Sequence, residues 1–240
     1  MLLNEDLKNK RVLVIGDSFT DILSTSHSWL NRLRIHYSWN VDNRSIPGSG
    51  SDYAFYEFMH NTQDFDICIF AWSEPDRFFI PGIPHLNSSE VKLKKFMEPW
   101  QKDIYRAAQH YYMHLRNEEM IIYKNVALLH WLDDHLSKKY KDKIFLHFHS
   151  FPKPDIRDNV YTSVKDMDEP NLYHTFKTGI NITPSLLKIS VTDPDAPEDF
   201  GNDHRSGHLS KQLHERLFYG LIKHFKSHTY TDNNIIDLGR

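Results

Sequence analysis

The stretch Val12-Leu13-Val14-Ile15-Gly16-Asp17-Ser18 is an apolar run with β-branched members that stops at a glycine and two small polar residues. Without polar alternation, such a run fits a strand buried on both faces, as in a parallel sheet, and Gly-Asp-Ser fits the turn that ends it. After the turn, Ile22, Trp29, Leu30 and Leu33 recur at roughly helical spacing, so Ser18 is expected to open a helix. The pattern then repeats. An extended segment over 35–46 leads to the turn Pro47-Gly48-Ser49-Gly50, a helix is expected over 53–60, and Asp66 to Trp72 reads as a third buried strand.

Between Ser89 and Tyr140 the composition favours helices on either side of a break near 118–124, followed by a fourth strand from Lys143 to His149. Six of the 11 prolines lie between 150 and 200, at 152, 154, 170, 184, 194 and 197, which predicts an irregular region with at most short elements. From Leu209 to Phe225, the residues Leu213, Leu217, Phe218, Leu221, Ile222 and Phe225 form one helical stripe suited to packing on a sheet. The tail after Ser227 is polar and expected to be loosely held. Strands alternating with helices predict an α/β fold, a three-layer α/β/α sandwich around a mostly parallel sheet, because parallel neighbours require crossovers. The 240 residues fit one domain, 1–240, with a helical insertion at about 85–140 and the proline-rich region at about 150–200. Ligands of such sheets bind at the carboxyl ends of the strands.

The 29 basic and 32 acidic side chains give a formal charge of −3. That balance offers no broad basic field, so neither nucleic acid nor an anionic membrane is expected as a partner. Cys68, the single cysteine, lies in the apolar run Ile67-Cys68-Ile69-Phe70 and reads as a buried strand residue. Acids at Glu5 and Asp6 do not fit a secretory leader, and no stretch reaches membrane-spanning length, so a cytoplasmic location is expected.

Ser18 sits where backbone N–H groups can face an anion while the hydroxyl projects from the sheet edge. Asp17 is read as bracing the turn. Near the other end, Gly207-His208-Leu209-Ser210 precedes the last amphipathic helix, and Asp203 supplies a carboxylate close to His208. Ile15-Gly16-Asp17-Ser18 together with His208-Leu209-Ser210 resembles the first and last blocks of the GDS(L)/SGNH hydrolases. The resemblance implies a flavodoxin-like sandwich. It also implies Ser18 as nucleophile on an ester carbonyl, His208 as general base and then acid, a nearby aspartate orienting His208, and neither metal nor organic cofactor. The substrate expected is a small-molecule or glycan ester, with an acetyl or other short acyl group. For the second family block, a glycine N–H of the oxyanion hole, the candidates are Gly50 first and Gly48 second.

Two blocks depart from the family pattern. Where the family has Gly-x-Asn-Asp, the chain reads Ala71-Trp72-Ser73-Glu74-Pro75-Asp76-Arg77. Ser73 takes the asparagine position, so the oxyanion hole is expected from Ser18, Gly50 and Ser73, with Arg77 able to complete it. The family's acid lies three residues before the histidine, where this chain has Arg205. Asp203, five before, is the first choice. Asp199 or a backbone carbonyl is the substitute, and a Ser18–His208 dyad is the fallback.

Other clusters have plainer readings. His147 and His149 share a strand face at a spacing that two metal ligands can adopt, but fit better as histidines hydrogen-bonded to a pocket wall. Asp133-Asp134-His135 reads as a solvated helical face, and Trp100, Tyr111, Tyr112 and Trp131 as core and helix-packing residues rather than sugar-stacking ones. Two rival functions remain. The altered blocks suit a catalytically weakened fold serving as a binding or structural module. A metallophosphoesterase is suggested by Gly16 to Asp21 and Gly201 to His204, but its upstream Asp-x-His is missing.

Overall fold

The computed structural model describes residues 7–20, 27–80, 98–151, 174–186, 189, 209–227 and 235–238, together with the backbone of 83–86. In chain order the elements are β1 (Arg11–Ile15), α1 (Trp29–Tyr37), β2 (Asn40–Asn43), α2 (Ser51–Met59), β3 (Ile67–Trp72), β4 (Phe78–Ile80) and β5 (Ile83–Leu86). They continue with α3 (Pro99–His110), a π-helical turn (Tyr111–Leu115), α4 (Glu118–Lys139), β6 (Ile144–His149), β7 (Ile180–Thr183), α5 (Lys211–Ser227) and β8 (Ile235–Asp237). Six strands form one sheet in the order β2-β1-β3-β6-β7-β8, and each neighbouring pair is parallel. β4 and β5 form a separate antiparallel pair.

The alternation of side chains across the sheet builds two cores. Val12, Val14, Ile67, Ile69, Ala71, Leu146, Phe148, Ile180 and Ile182 face one way and meet α1 and α5 through Trp29, Leu33, Leu213, Leu217 and Phe225. Leu13, Ile15, Cys68, Phe70, Trp72 and Phe145 face the other way and meet Tyr53 and Phe58 of α2 and Leu129, Leu132 and Leu136 of α4. The result is the expected α/β/α sandwich with the flavodoxin-like strand order. Cys68 is buried in it, and burial pushes its thiol well above the ordinary range. The strand order reverses direction at β1, between β2 on one side and β3 on the other, which is where open parallel sheets leave a crevice beyond their carboxyl ends.

Several local expectations are corrected. The extended segment expected from 35 begins only at Asn40, because α1 continues to Tyr37 and Ser38 then turns the chain in a left-handed conformation at φ 55°. Residues 118–124 are helical: Asn117 caps the start of α4, its side chain accepting the Met120 N–H, and the break falls on the π-helical turn and the two residues after it. The hairpin of β4 and β5 went unread, since three- and four-residue strands carry little period. Trp100 and Trp131 are 53% and 49% exposed, so neither is a core residue, although Trp131 packs between helices, edge to face with Phe55 of α2 and stacked on His135. Among the described residues, no helix is long and apolar enough to cross a membrane.

The polar tail after Ser227 also conceals a strand. β8 pairs in parallel with β7, Ile236 is fully buried, and the Leu238 N–H donates to the Thr183 carbonyl at 2.7 Å. Ile236→Ala should cost about 2–5 kcal/mol, as for other buried isoleucine truncations. Urea unfolding checks this as a fall in midpoint at unchanged slope; a loss below about 0.5 kcal/mol would mean that β8 adds nothing to the core.

Candidate active site

The carboxyl ends of the strands are drawn together by short polar side chains. Gly16 ends β1 so close to β3 that an added Cβ would lie 2.6 Å from Ala71 Cβ and 2.6 Å from Thr20 Oγ1. Only glycine fits there. The Gly16 carbonyl accepts the Ile46 N–H at 3.0 Å and the Ser49 hydroxyl at 2.9 Å, which ties the loop after β2 to the end of β1. Ser51, the first residue of α2, donates its hydroxyl to the Ser73 carbonyl at 2.7 Å and so ties α2 to the end of β3. The Ser150 N–H donates to the Trp72 carbonyl at 2.8 Å, and its hydroxyl donates to Asp17 Oδ1 at 3.0 Å.

Asp17 is the centre of this arrangement. It is fully buried, its Oδ1 also accepts the Phe19 N–H at 3.0 Å, and its carbonyl accepts the Thr20 N–H at 3.1 Å. Burial raises the Asp17 carboxyl above the ordinary aspartate range, opposed by the charge of Arg77, the Phe19 N–H, and the Ser73 and Ser150 hydroxyls. Ser73 acts on the carboxyl without a hydrogen bond of normal length: among the described residues, neither Ser73 Oγ nor Asp17 Oδ2 has a partner within ordinary reach. The aspartate braces the turn, as its position in the sequence suggested.

Ser18 lies in a turn, and α1 begins only at Trp29 with Ser28 as its cap, so Ser18 does not open that helix. Between Val12 and Thr20, Ser18 alone is partly exposed and the rest are buried. Gly50 caps the start of α2 in an extended conformation, and an added Cβ would lie 2.4 Å from the Arg77 carbonyl oxygen. Gly48 has φ 80°, so the turn itself accounts for that glycine. Ser73 is 1% exposed with its Oγ buried toward Asp17. Arg77 is held by Glu74 through Nε and Nη2, both at 2.9 Å from Oε2, and its guanidinium lies 4.8 Å over the Phe151 ring.

His208, Asp203 and Asp199 lie outside the described residues. The chain next to His208 is well anchored: Leu209 is buried in the α1/α5 core, and Ser210 caps α5 by accepting the Leu213 N–H at 3.2 Å. His214 Nδ1 accepts the Trp29 N–H at 3.3 Å, joining the start of α5 to the start of α1.

Beneath the site, on the α2/α4 face, sits a polar layer that sequence reading underrated. His147 Nδ1 accepts from Trp72 Nε1 at 3.2 Å and its Nε2 pairs with the Thr178 carbonyl at 2.9 Å, while His149 Nε2 pairs with the His174 carbonyl at 3.2 Å. Both histidines are thus hydrogen-bonded to the segment 174–178. Asp133 is not on a solvated face. It is 6% exposed and accepts the Lys177 and Thr178 N–H groups, both at 2.9 Å, and His174 Nε2 at 3.3 Å. Burial works against its charge, yet these donors hold the Asp133 carboxyl below its ordinary value. Nothing in the run Asp133-Asp134-His135 signalled this, because the donors come from a loop some forty residues later. Among the described residues, no three His, Cys, Asp or Glu side chains form a set that could hold a metal ion.

No protein-family model matches the chain, and no curated protein does. Solved structures align along most of it at low identity. One, TesA, is 14% identical with a TM-score of 0.42, covering 90% of this chain and 98% of its own. Another, a candidate GDSL-like lipase from Parabacteroides merdae, is 13% identical with a TM-score of 0.45, covering 92% and 97%. A third, from Lactobacillus plantarum, is 12% identical with a TM-score of 0.36, covering 96% and 77%.

The buried histidines give the protein a pH signature. Burial pushes His147 down from 6.5 to about 3 and His149 to about 4. Each ring is neutral when folded and takes up a proton on unfolding below its ordinary value. Stability is therefore complete above about pH 6.5 and falls as the pH drops toward 4, each ring adding up to about 1.4 kcal/mol per pH unit to the slope. The raised carboxyl of Asp17 acts in the opposite sense just above 3.8, losing stability as pH rises, so Asp17→Asn should steepen the measured slope. Urea midpoints between pH 7.5 and 4 check both; a flat wild-type profile would show that the rings are solvated.

Proposed function

We propose that the chain is a serine hydrolase of the SGNH type, cleaving carboxylic esters with acetyl or other short acyl groups on small molecules or glycans. The observation that carries this reading is the exposure of Ser18 alone in an otherwise buried strand-end turn, at the point where the strand order reverses. A serine placed this way, next in sequence to a buried carboxyl that braces the turn, suits attack on a carbonyl better than it suits a structural turn.

In the mechanism, His208 takes the Ser18 proton as Oγ attacks the ester carbonyl. The carbonyl π electrons move to oxygen, and the oxyanion is met by the N–H groups of Ser18 and Gly50. His208 then returns the proton to the leaving alcohol as the C–O bond breaks, giving an acyl-serine and the alcohol. Water, deprotonated by His208, repeats the sequence to release the acid. Asp203, or Asp199 in its place, orients the imidazole. Ser73 can add a third donor only by turning its hydroxyl away from Asp17, since its Oγ is buried.

That burial also favours a second reading, a weakened fold that binds without turnover, and one set of measurements separates the two. A fluorophosphonate should label Ser18 in the wild type and leave Ser18→Ala unlabelled. Hydrolysis of a short-chain aryl ester should fall at least about 10³-fold in Ser18→Ala and in His208→Ala, and the wild-type rate should rise through about pH 6.5 to a plateau. Absence of label, or equal rates in all three proteins, would leave the binding module. Ser73→Ala should cost far less than the roughly 10²–10³-fold loss that follows removal of an oxyanion donor; a loss of that size would make Ser73 the third donor.

A further inference from the structure

Arg77 is placed more tightly than a wall residue requires. Its backbone presses on Gly50, where an added Cβ would meet the Arg77 carbonyl oxygen at 2.4 Å and the Arg77 Cβ at 2.9 Å. Its guanidinium rests on Phe151 at 4.8 Å, and Phe151 meets Phe19, the neighbour of Ser18, edge to face at 5.9 Å. Ser150, one residue before Phe151, is bonded to Asp17, one residue before Ser18. Arg77 therefore stands within one aromatic ring of the Ser18 turn and one residue's packing of Gly50.

The way it is held leaves one edge unspent. Glu74 Oε2 takes both Nε and Nη2, and among the described residues no acceptor takes Nη1. The side chain is 12% exposed, so it is fixed on one edge and one face and still reaches solvent. An arginine held this way has already lost most of its rotamer freedom, and the planar fork is well matched to carboxylate and phosphate oxygens. Asp17 does not compete for it by direct contact, since no ion pair joins the two among the described residues, although the Arg77 charge is the largest force opposing the burial of that carboxyl.

We propose that Arg77 is an anion anchor of this site and that its ester substrates carry a carboxylate or phosphate group, bound by the Nη1 edge while Ser18 addresses the ester carbonyl. The proposal rests on the hydrolase reading and adds the substrate class. It also separates Arg77 from the oxyanion hole: the anchor binds a charge present in the ground state, so its loss is felt in KM and in discrimination.

Three esters test it: phenyl acetate, 3-carboxyphenyl acetate and 3-(phosphonooxy)phenyl acetate, hydrolysed by the wild type, Arg77→Lys and Arg77→Gln. The wild type should favour at least one anionic ester over phenyl acetate by about tenfold or more in kcat/KM, and which one identifies the anion. In Arg77→Gln the ratio should collapse to about one through KM, and Arg77→Lys should keep part of it, since the charge remains without the fork. Absence of preference in the wild type, or equal kcat losses on all three esters in Arg77→Gln, would overturn the anchor. If no ester is hydrolysed in a Ser18-dependent way, the hydrolase reading fails separately, and calorimetric titration with benzoate and phenyl phosphate decides the anchor. Binding weakened about tenfold or more in Arg77→Gln supports it, and binding equal to the wild type, or undetected in the wild type, overturns it. Circular dichroism of each variant establishes that the compared proteins are folded.

Discussion

The burial of the Asp17 carboxyl at the carboxyl edge of the sheet is the constraint around which the site is built. A carboxylate removed from water carries a large penalty unless donors surround it. The chain meets this with the Phe19 N–H from its own turn and the Ser150 hydroxyl from the end of β6, with Arg77 contributing charge at longer range. These donors come from separate strand connections, so satisfying the carboxyl fixes the spacing between the end of β1 and the ends of its neighbours. Gly16 does the same by contact, letting β1 approach Ala71 where any side chain would collide. Ser18, which follows them in sequence, is the partly exposed residue of the turn.

The two faces of the sheet are not alike, and the difference matters for the site. Against α1 and α5 the core is almost purely apolar, with Trp29, Leu33, Leu221 and Phe225 fully or nearly fully buried. Against α2 and α4 the aromatic stack of Phe70, Trp72, His147 and Phe176 merges into a hydrogen-bonded layer. There His147, His149 and Asp133 hold the segment from His174 to Thr178, and Asn181 closes it with reciprocal bonds to the backbone of Phe176 at 2.8 and 2.7 Å. A connection with little apolar content is thereby pinned beside the ends of β3 and β6. Such polar networks are unforgiving when one member is lost, because the remaining groups stay buried without partners.

Much of this was legible in the sequence where a physical signal repeats. The buried runs 12–15, 67–72 and 144–149 announce parallel strands by length and by the absence of polar alternation, and the stripe from Leu213 to Phe225 announces the helix that covers them. What stayed hidden had no local period. β8 is three residues in a polar tail and exists because β7 offers a free edge. Asp133 looks like any charged helical residue, and its burial depends on N–H groups that approach only in three dimensions. The same limit applies to the site. Gly-Asp-Ser could be read as a strand-end turn, whereas the Ser150 hydroxyl on Asp17 and the Arg77–Phe151 contact follow from the register of β3 on β6, which pairs Trp72 with His149.

Ser73 is committed by this arrangement to the interior of the strand-end cluster. Here its carbonyl is already taken by Ser51 and its hydroxyl lies in the shadow of Asp17. On the proposed reading, oxyanion stabilisation then falls to main-chain donors, whose positions are set by packing and cannot relax as a side chain can. Gly50 is the sensitive one, since the Arg77 backbone leaves no room for a Cβ beside it. Moving Arg77 would shift the Gly50 amide, and crowding Gly50 would displace Arg77. The contact is made by the Arg77 backbone and Cβ, so the guanidinium proposed to hold an anion can be exchanged without crowding the amide proposed to receive the developing charge.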